Sequence, residues 1–316
     1  MFSREYLEGL SRKTGFLLEG LQKQMTLLDL LREISRHPFL RSKFVLKGGT
    51  ALNLFWSSLR RLSVDIDLNY VGNVDRDGMM QDRPVVEAAL KALIESRGIT
   101  VQFAPADEHA GAKWRLRPPN AFGGNFTLEL DLNYLMRVPI GEPHPRQPYP
   151  IDEDLSFDFA SVSFAELLGG KIKALLERSA ARDLFDVAIL ARAAETFDIG
   201  EIRRANILLG VTSRKDWRSV DLSTIDAIDD EMIRNELTPV LRQNEAPDLL
   251  KLKSDARKIL DLILRRTDKE KEFLDAFLDE GEYRPELLFD QAEAARLKAH
   301  PALLWKLQNV KKLRGT

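Results

Sequence analysis

Ser63-Val64-Asp65-Ile66-Asp67-Leu68-Asn69-Tyr70 alternates apolar with polar residues, and this stretch decides how the chain is read. In an extended strand successive side chains point to opposite faces, so Val64, Ile66, Leu68 and Tyr70 are expected toward a core and Asp65, Asp67 and Asn69 away from it. Two carboxylates about 7 Å apart along a strand can converge on one hard cation. Without a cation or a basic side chain their repulsion destabilises the strand. The segment before it supplies a complementary half. Phe44-Val45-Leu46 is apolar and β-prone, Gly48-Gly49 reads as a sharp turn, and Thr50 is expected to cap a helix beginning Ala51-Leu52-Asn53-Leu54. Unpaired N–H groups at such a helix start suit a phosphate, and glycine lets the backbone approach it closely. Phosphate anchor and metal ligands on neighbouring elements point to an enzyme that moves a phosphate-containing group. A Walker A loop is excluded, because its Gly-x-x-x-x-Gly-Lys-Ser/Thr pattern is missing.

Phe126-Thr127-Leu128-Glu129-Leu130-Asp131-Leu132-Asn133 repeats the alternation and places Glu129, Asp131 and Asn133 on one polar face. A third carboxylate is therefore available as a metal ligand or proton acceptor. Around these strands the pattern predicts a helical run over residues 1–40 and a polar loop over 72–83. It predicts a helix over 84–97 and further strands at 99–103 and 113–117, together an α/β (α+β) lobe with a mixed sheet. Pro139, Pro143, Pro145, Pro148 and Pro150 mark an extended connector. The expected division is thus 1–150 and 151–316. Beyond it Ser163-Phe164-Ala165-Glu166 reads as a capping box that opens a helix to about Arg178. Gly169-Gly170 inside that helix signals close approach of a backbone or a ligand. Lys171 and Lys173 follow, and Asp183 and Asp186, three apart, share a face of the next helix.

The 316 residues, 44% hydrophobic and 30% charged, suffice for two packed lobes and exclude wholesale disorder. No cysteine is present, which excludes thiolate metal sites and thiol nucleophiles and fits a reducing cytoplasm. His37, His109, His144 and His300 are scattered, so no His-rich metal site is expected. No run approaches the roughly 18 apolar residues of a membrane helix, and no membrane partner is expected. A net charge of −2 gives no global pull toward nucleic acid. The acid-free run 295–316, with Arg296, Lys298, Lys306, Lys311, Lys312 and Arg314, is a local basic candidate. Trp217 and Trp305 are expected in the core or an interface rather than as base-stacking platforms.

Leu46-Lys47-Gly48-Gly49-Thr50-Ala51-Leu52, then Arg61-Leu62-Ser63-Val64-Asp65-Ile66-Asp67-Leu68, and later Lys171 with Arg182-Asp183-Leu184-Phe185-Asp186, resemble the AbiEii/AbiGii (MenT-like) nucleotidyltransferase toxins. The motifs cover about residues 44–190. The resemblance implies a polymerase-β-like nucleotidyltransferase lobe followed by a helical C-terminal lobe carrying the Lys and Arg-Asp-x-x-Asp motifs. It implies Asp65, Asp67 and Asp131 as ligands of Mg²⁺ or Mn²⁺, with Asp131 favoured over Glu129. Lys47, Gly48, Gly49, Thr50 and Ser63 then hold the nucleoside triphosphate, and Lys171 and Asp186 complete the catalytic set, Lys171 favoured over Lys173. The implied reaction is NMP transfer to an RNA acceptor, the tRNA 3′ end, blocking translation in the cytoplasm. A separately encoded antitoxin is the implied partner. A small-molecule nucleotidyltransferase and a non-catalytic nucleotide-binding regulator are the competing readings.

Overall fold

A computed structural model describes residues 2–103, 111–151 and 155–314; of the sequence features above, His109 and the last two residues of the basic run lie outside them. The stretch around Asp65 becomes the middle strand of a seven-stranded sheet. Its strands are β1 (Phe44–Leu46), β2 (Asp65–Tyr70), β3 (Thr100–Phe103), β4 (Gly111–Arg117), β5 (Leu128–Asn133), β6 (His144–Arg146) and β7 (Phe159–Ser161), in the order β3-β4-β5-β2-β1-β7-β6. β2 runs parallel to β5 and β1 parallel to β7, while β1 with β2, β3 with β4, β4 with β5 and β6 with β7 are antiparallel. Alternation separates the two faces. Ile66, Leu68, Trp114, Leu116, Leu130 and Leu132 are fully buried, each side chain contributing roughly 1.5–3 kcal/mol. Four helices accompany the sheet: α1 (Arg4–Thr14), α2 (Leu18–Arg36), α3 (Gly48–Phe55) and α4 (Arg76–Ser96). α2 meets β7, α4 meets β3, and the two helices touch each other.

Three local expectations are corrected. The helical run over 1–40 is two helices, because Gly15 takes φ +79° and returns its N–H to Ser11. Most of the expected loop 72–83 belongs to α4. The Asp75 carboxylate caps that helix by accepting from the Gly78 N–H at 2.7 Å. Asp82 then fastens its first half to the sheet, accepting from Lys43 Nζ at 2.7 Å and Tyr70 Oη at 2.5 Å. Pro84 therefore lies inside α4 instead of opening it. The proline-rich connector also contributes a strand, β6, with Pro145 tolerated because β6 is at the sheet edge.

The chain divides into two compact units, the first formed by Met1–Arg137, Pro143–Val162 and Thr238–Ala246, the second by Val138–Glu142, Ser163–Leu237 and Pro247–Thr316. Residue 150, the expected boundary, falls inside the first unit. The returning segment 238–246 is stitched into it at several points. Val240 accepts from the Leu62 N–H at 2.8 Å, Gly15 accepts from the Gln243 N–H at 2.8 Å, and the Arg242 guanidinium lies 4.7 Å from the Phe16 ring centroid.

The second unit is helical. Its helices are α5 (Phe164–Arg178), α6 (Ala181–Ala194), α7 (Ile199–Gly210), the short α8 (Ser223–Asp226) and α9 (Asp230–Met232), α10 (Leu249–Leu264), α11 (Asp268–Asp275), α12 (Gln291–Leu297) and α13 (Pro301–Arg314). Ser163 Oγ caps α5 by accepting from the Glu166 N–H, and the Glu166 carboxylate accepts from the Ile140 N–H at 2.8 Å. Gly169 explains itself here. A Cβ on it would lie 2.9 Å from Asn206 N and 3.2 Å from Ile202 O, so the close neighbour anticipated from Gly169-Gly170 is the backbone of α7. Asn206 locks the crossing, donating to the Gly169 carbonyl at 2.9 Å while accepting from Trp217 Nε1 at 3.2 Å. Trp217 is fully buried, as expected of a core residue, whereas Trp305 is half exposed.

Candidate active site

Between β1 and α3 the chain turns at Gly48, which takes φ +69°, a left-handed conformation that disfavours any side chain. The bend sits directly against β2. A Cβ at residue 48 would collide with Asp67 Oδ2 and lie 2.9 Å from its Cγ, and the Lys47 N–H donates to the Asp67 carbonyl at 3.0 Å. Glycine is thus required twice, for its backbone angle and for the carboxylate beside it. α3 begins at Gly48, earlier than the expected capping by Thr50, and Lys47 at its N-cap makes no side-chain capping bond. The first-turn N–H groups of an α-helix have no carbonyl partner within the helix, and Gly48 and Gly49 are both partly exposed.

Thr50 is the correction to the capping expectation. It is fully buried, and its hydroxyl donates to Ser63 Oγ at 2.8 Å and also contacts the Asp65 carbonyl. The Ser63 N–H in turn donates to Gln24 Oε1 at 3.0 Å. Thr50 and Ser63 therefore brace α3 against the chain entering β2, and Gln24 of α2 holds that brace from below.

Asp65 and Asp67 are partly exposed on one face of β2, with Ile66 and Leu68 buried behind them. Parallel pairing with β5 sets Asp65 opposite Glu129 and Asp67 opposite Asp131. Both β5 acids are partly exposed on the same face. Asn69, expected to extend the polar row, is instead buried, with no hydrogen-bond partner for its Oδ1 among the described residues. β4 adds a residue that the acidic motifs did not announce. Lys113, register partner of Asp131, forms an ion pair with Glu129 at 2.7 Å. The hydrogen bond to Glu129 holds the ammonium pKa above its ordinary value against partial burial, and the nearby charges of Glu129, Asp131 and Asp65 add to it. Glu129 is thereby engaged by Lys113. Asp131 stands opposite Asp67.

No group of three or more His, Asp or Glu side chains converges closely enough to hold a metal ion among the described residues. The donor set nevertheless suits Mg²⁺. It offers hard carboxylate oxygens from two adjacent strands on a partly open face, and Mg²⁺ keeps several waters and takes only one or two protein carboxylates in typical phosphate sites.

The later motif forms a cluster inside the helical unit. Lys171 Nζ lies 2.9 Å from Asp183 and 3.1 Å from Asp186, across the contact of α5 with α6, and all three side chains are buried. Arg178 adds bonds to Asp183 at 2.6 and 3.0 Å. Burial alone would raise the Asp183 pKa, but Lys171 and Arg178 outweigh it and hold the carboxyl below its usual range. Lys173 points to a different partner, Glu177, at 2.8 Å. Lys171, and not Lys173, is thus the lysine that both acids contact.

The family model of the nucleotidyl transferase AbiEii toxin, of type IV toxin–antitoxin systems, matches residues 29–284. The chain belongs to this family. It is an AbiEii nucleotidyltransferase, and both the glycine bend and the Lys171 cluster fall within the matched region. Its fold is similar to that of MenT4, a nucleotidyltransferase toxin from Mycobacterium tuberculosis H37Rv, with a TM-score of 0.66 and 17% identity over 97% of this chain and 99% of that one. No curated protein sequence matches the chain.

In this AbiEii protein two contributors escaped motif reading. Lys113 was legible only as one position of an alternating strand, and Gln24 only as a residue of a helix; what makes them part of the site is a pairing across the fold. The C-terminal basic run is partly used internally. Arg296 donates to the carbonyls of Pro139 and Ile140, and Lys306 to that of Ser213. Among the described residues, one cavity of about 310 Å³ lies among Ala191, Ile199 and Ile259 and another of about 590 Å³ among Leu18, Asn120 and Phe122. No helix among the described residues is long and apolar enough to cross a membrane.

Proposed function

We propose that this AbiEii toxin transfers a nucleoside monophosphate from a nucleoside triphosphate to a hydroxyl of an RNA acceptor, the 3′ end of tRNA, in the cytoplasm, and so blocks translation. The observation that carries the reading is the contact of the Asp67 carboxylate with Gly48, which brings metal-type ligands to the start of α3. Asp65, Asp67 and Asp131 would hold Mg²⁺, or Mn²⁺, which when bound supplies neutralisation of charge on the entering and leaving oxygens. The N–H groups of Gly48 and Gly49, at the positive end of α3, orient phosphate oxygens. Lys47 adds a cation beside them. Thr50 and Ser63 act by fixing the helix to β2 rather than by lending their hydroxyls. As the acceptor oxygen bonds to the α-phosphorus, pyrophosphate departs and Asp131 would take the hydroxyl proton.

The catalytic roles of Lys171 and Asp186 belong to the same proposal, supported by the buried contacts of the Lys171 ammonium with Asp183 and Asp186. Membership of a toxin–antitoxin family implies an antitoxin as partner.

The test incubates the protein with total RNA, Mg²⁺ and each labelled triphosphate in turn. Label should appear on tRNA, depend on the metal, and vanish in Asp65→Ala and Asp67→Ala. Label on a small-molecule acceptor only, or from no nucleotide at all, would refute the proposal.

A further inference from the structure

β4 exposes Lys113, Arg115 and Arg117 at alternate positions, with Ala112, Trp114 and Leu116 buried between them. Register fixes which way that row faces. Lys113 pairs with Asp131 and Arg115 with Glu129, so the three cations share the face that carries the acids of β5 and β2. They lie roughly 7 Å apart along the strand and about 4.8 Å from the β5 backbone. Only the first cation is matched. Lys113 is paired with Glu129, Arg117 donates to Thr127 Oγ1 at 3.0 Å, and Arg115 has no carboxylate within ion-pair distance among the described residues. Next to them β3 offers only the exposed, uncharged Thr100 and Gln102, the register partners of Arg117 and Arg115.

We infer that the β4 row of Lys113, Arg115 and Arg117 binds the phosphodiester backbone of a single-stranded RNA acceptor while its hydroxyl reaches the acidic strands. The inference rests on the proposed transfer reaction and adds a binding surface to it. A net charge of −2 gives the chain no overall attraction for a polyanion, so the attraction must be local. An acidic cluster repels a polyanion, and a row of cations one strand away offsets that repulsion where it is felt. A cationic small acceptor would gain from the opposite arrangement. Of the acids one strand away, Glu129 is already engaged by Lys113, so Arg115 and Arg117 keep their charge available to an anion.

The experiment measures fluorescence anisotropy of a labelled single-stranded RNA of about 16 nucleotides with the full chain, without nucleotide, over a range of salt. In Arg115→Ala/Arg117→Ala the log–log salt slope should become shallower by about 1.4, at about 0.7 per phosphate contact, which corresponds to about 25-fold weaker binding near 0.1 M salt. Arg115→Lys/Arg117→Lys, which keeps both charges, should restore most of the affinity, and the thermal midpoint should not change because both side chains are exposed. Wild-type affinity and slope in the double alanine variant would overturn the inference. Displacement of the RNA by poly-glutamate at equal charge concentration would also overturn it, reassigning the row to an acidic protein. Because binding is read without nucleotide, failure of transfer from every triphosphate would remove the proposed reaction and leave this surface standing. Transfer to RNA at unaltered KM in the double alanine variant would do the reverse.

Discussion

Gly48→Ala isolates the contact on which the active-site reading turns. The new Cβ would meet Asp67 Oδ2 and lie 2.9 Å from Cγ, so the carboxylate must retreat by about 1 Å or the bend must open. Displacement on the order of 1 Å of a group that positions the reacting atoms costs about 100-fold in rate, or about 2.7 kcal/mol of transition-state stabilisation. The left-handed backbone at residue 48 adds about 1–2 kcal/mol of destabilisation for a residue with a Cβ. Gly98 separates the two effects. Its φ is +73°, nearly the same as the +69° of Gly48, yet a Cβ there meets nothing within 4 Å. Gly98→Ala should therefore show a comparable loss of stability with unchanged transfer. Initial rates of label transfer from a nucleoside triphosphate to RNA, with thermal or urea denaturation of each variant, provide both readouts. If Gly48→Ala retains the wild-type rate while losing only as much stability as Gly98→Ala, the carboxylate beside the bend plays no part in the chemistry.

Among the acids of β5, Asp131→Asn should lower transfer by at least about 100-fold, the scale of a lost proton acceptor, while Glu129→Gln should change it little; equal effects in kinetic assays would contradict the assignment. Lys171→Met leaves two buried carboxylates facing the place of the lost cation and should cost about 3–5 kcal/mol in urea denaturation. A loss under about 1 kcal/mol would show that the cluster is not held by that charge. Because the folded-state pKa of Asp183 is depressed, its stabilising contribution is present above the usual aspartate range and disappears as pH falls through the folded value. The stability gap between wild type and Asp183→Asn should accordingly narrow on acidification below about pH 4, and a constant gap down to strong acid would disprove the linkage.

What sequence could reveal was mostly periodicity. The alternation in β2 and β5 identified Asp65, Asp67, Glu129 and Asp131 as one class of side chain, because a strand's side-chain period is fixed by covalent geometry. It could not say that Asp131 is set opposite Asp67 or that Glu129 is engaged by Lys113, since both depend on how the strands pair. Thr50 was misread as a cap for a similar reason. Its hydroxyl finds partners at Ser63 and the Asp65 carbonyl, well beyond the helix turn that a local rule inspects. The start of α4 was not legible because Asp82 is secured by Lys43, in the turn before β1, and by Tyr70 of β2. Gly169-Gly170 did signal a close neighbour, and only the fold could name α7. β6 lay hidden among prolines that an interior strand would have rejected and an outermost one accepts.

The stitching of Thr238–Ala246 into the sheet-bearing unit bears on the order in which a ribosome can finish this enzyme. The acidic strands and the glycine bend are synthesised early, but the Leu62 N–H and the Gly15 carbonyl wait for Val240 and Gln243, which emerge only after helices α5 to α9. A gene fragment stopped at the end of β7 would contain Asp65, Asp67, Glu129 and Asp131 and still lack the strap that fastens the approach to β2. Domains generally mature as units during synthesis, from the amino terminus onward. Here the earliest unit is sealed late, and a nascent toxin would complete the fold around its acidic strands only after α5 to α9 have been made.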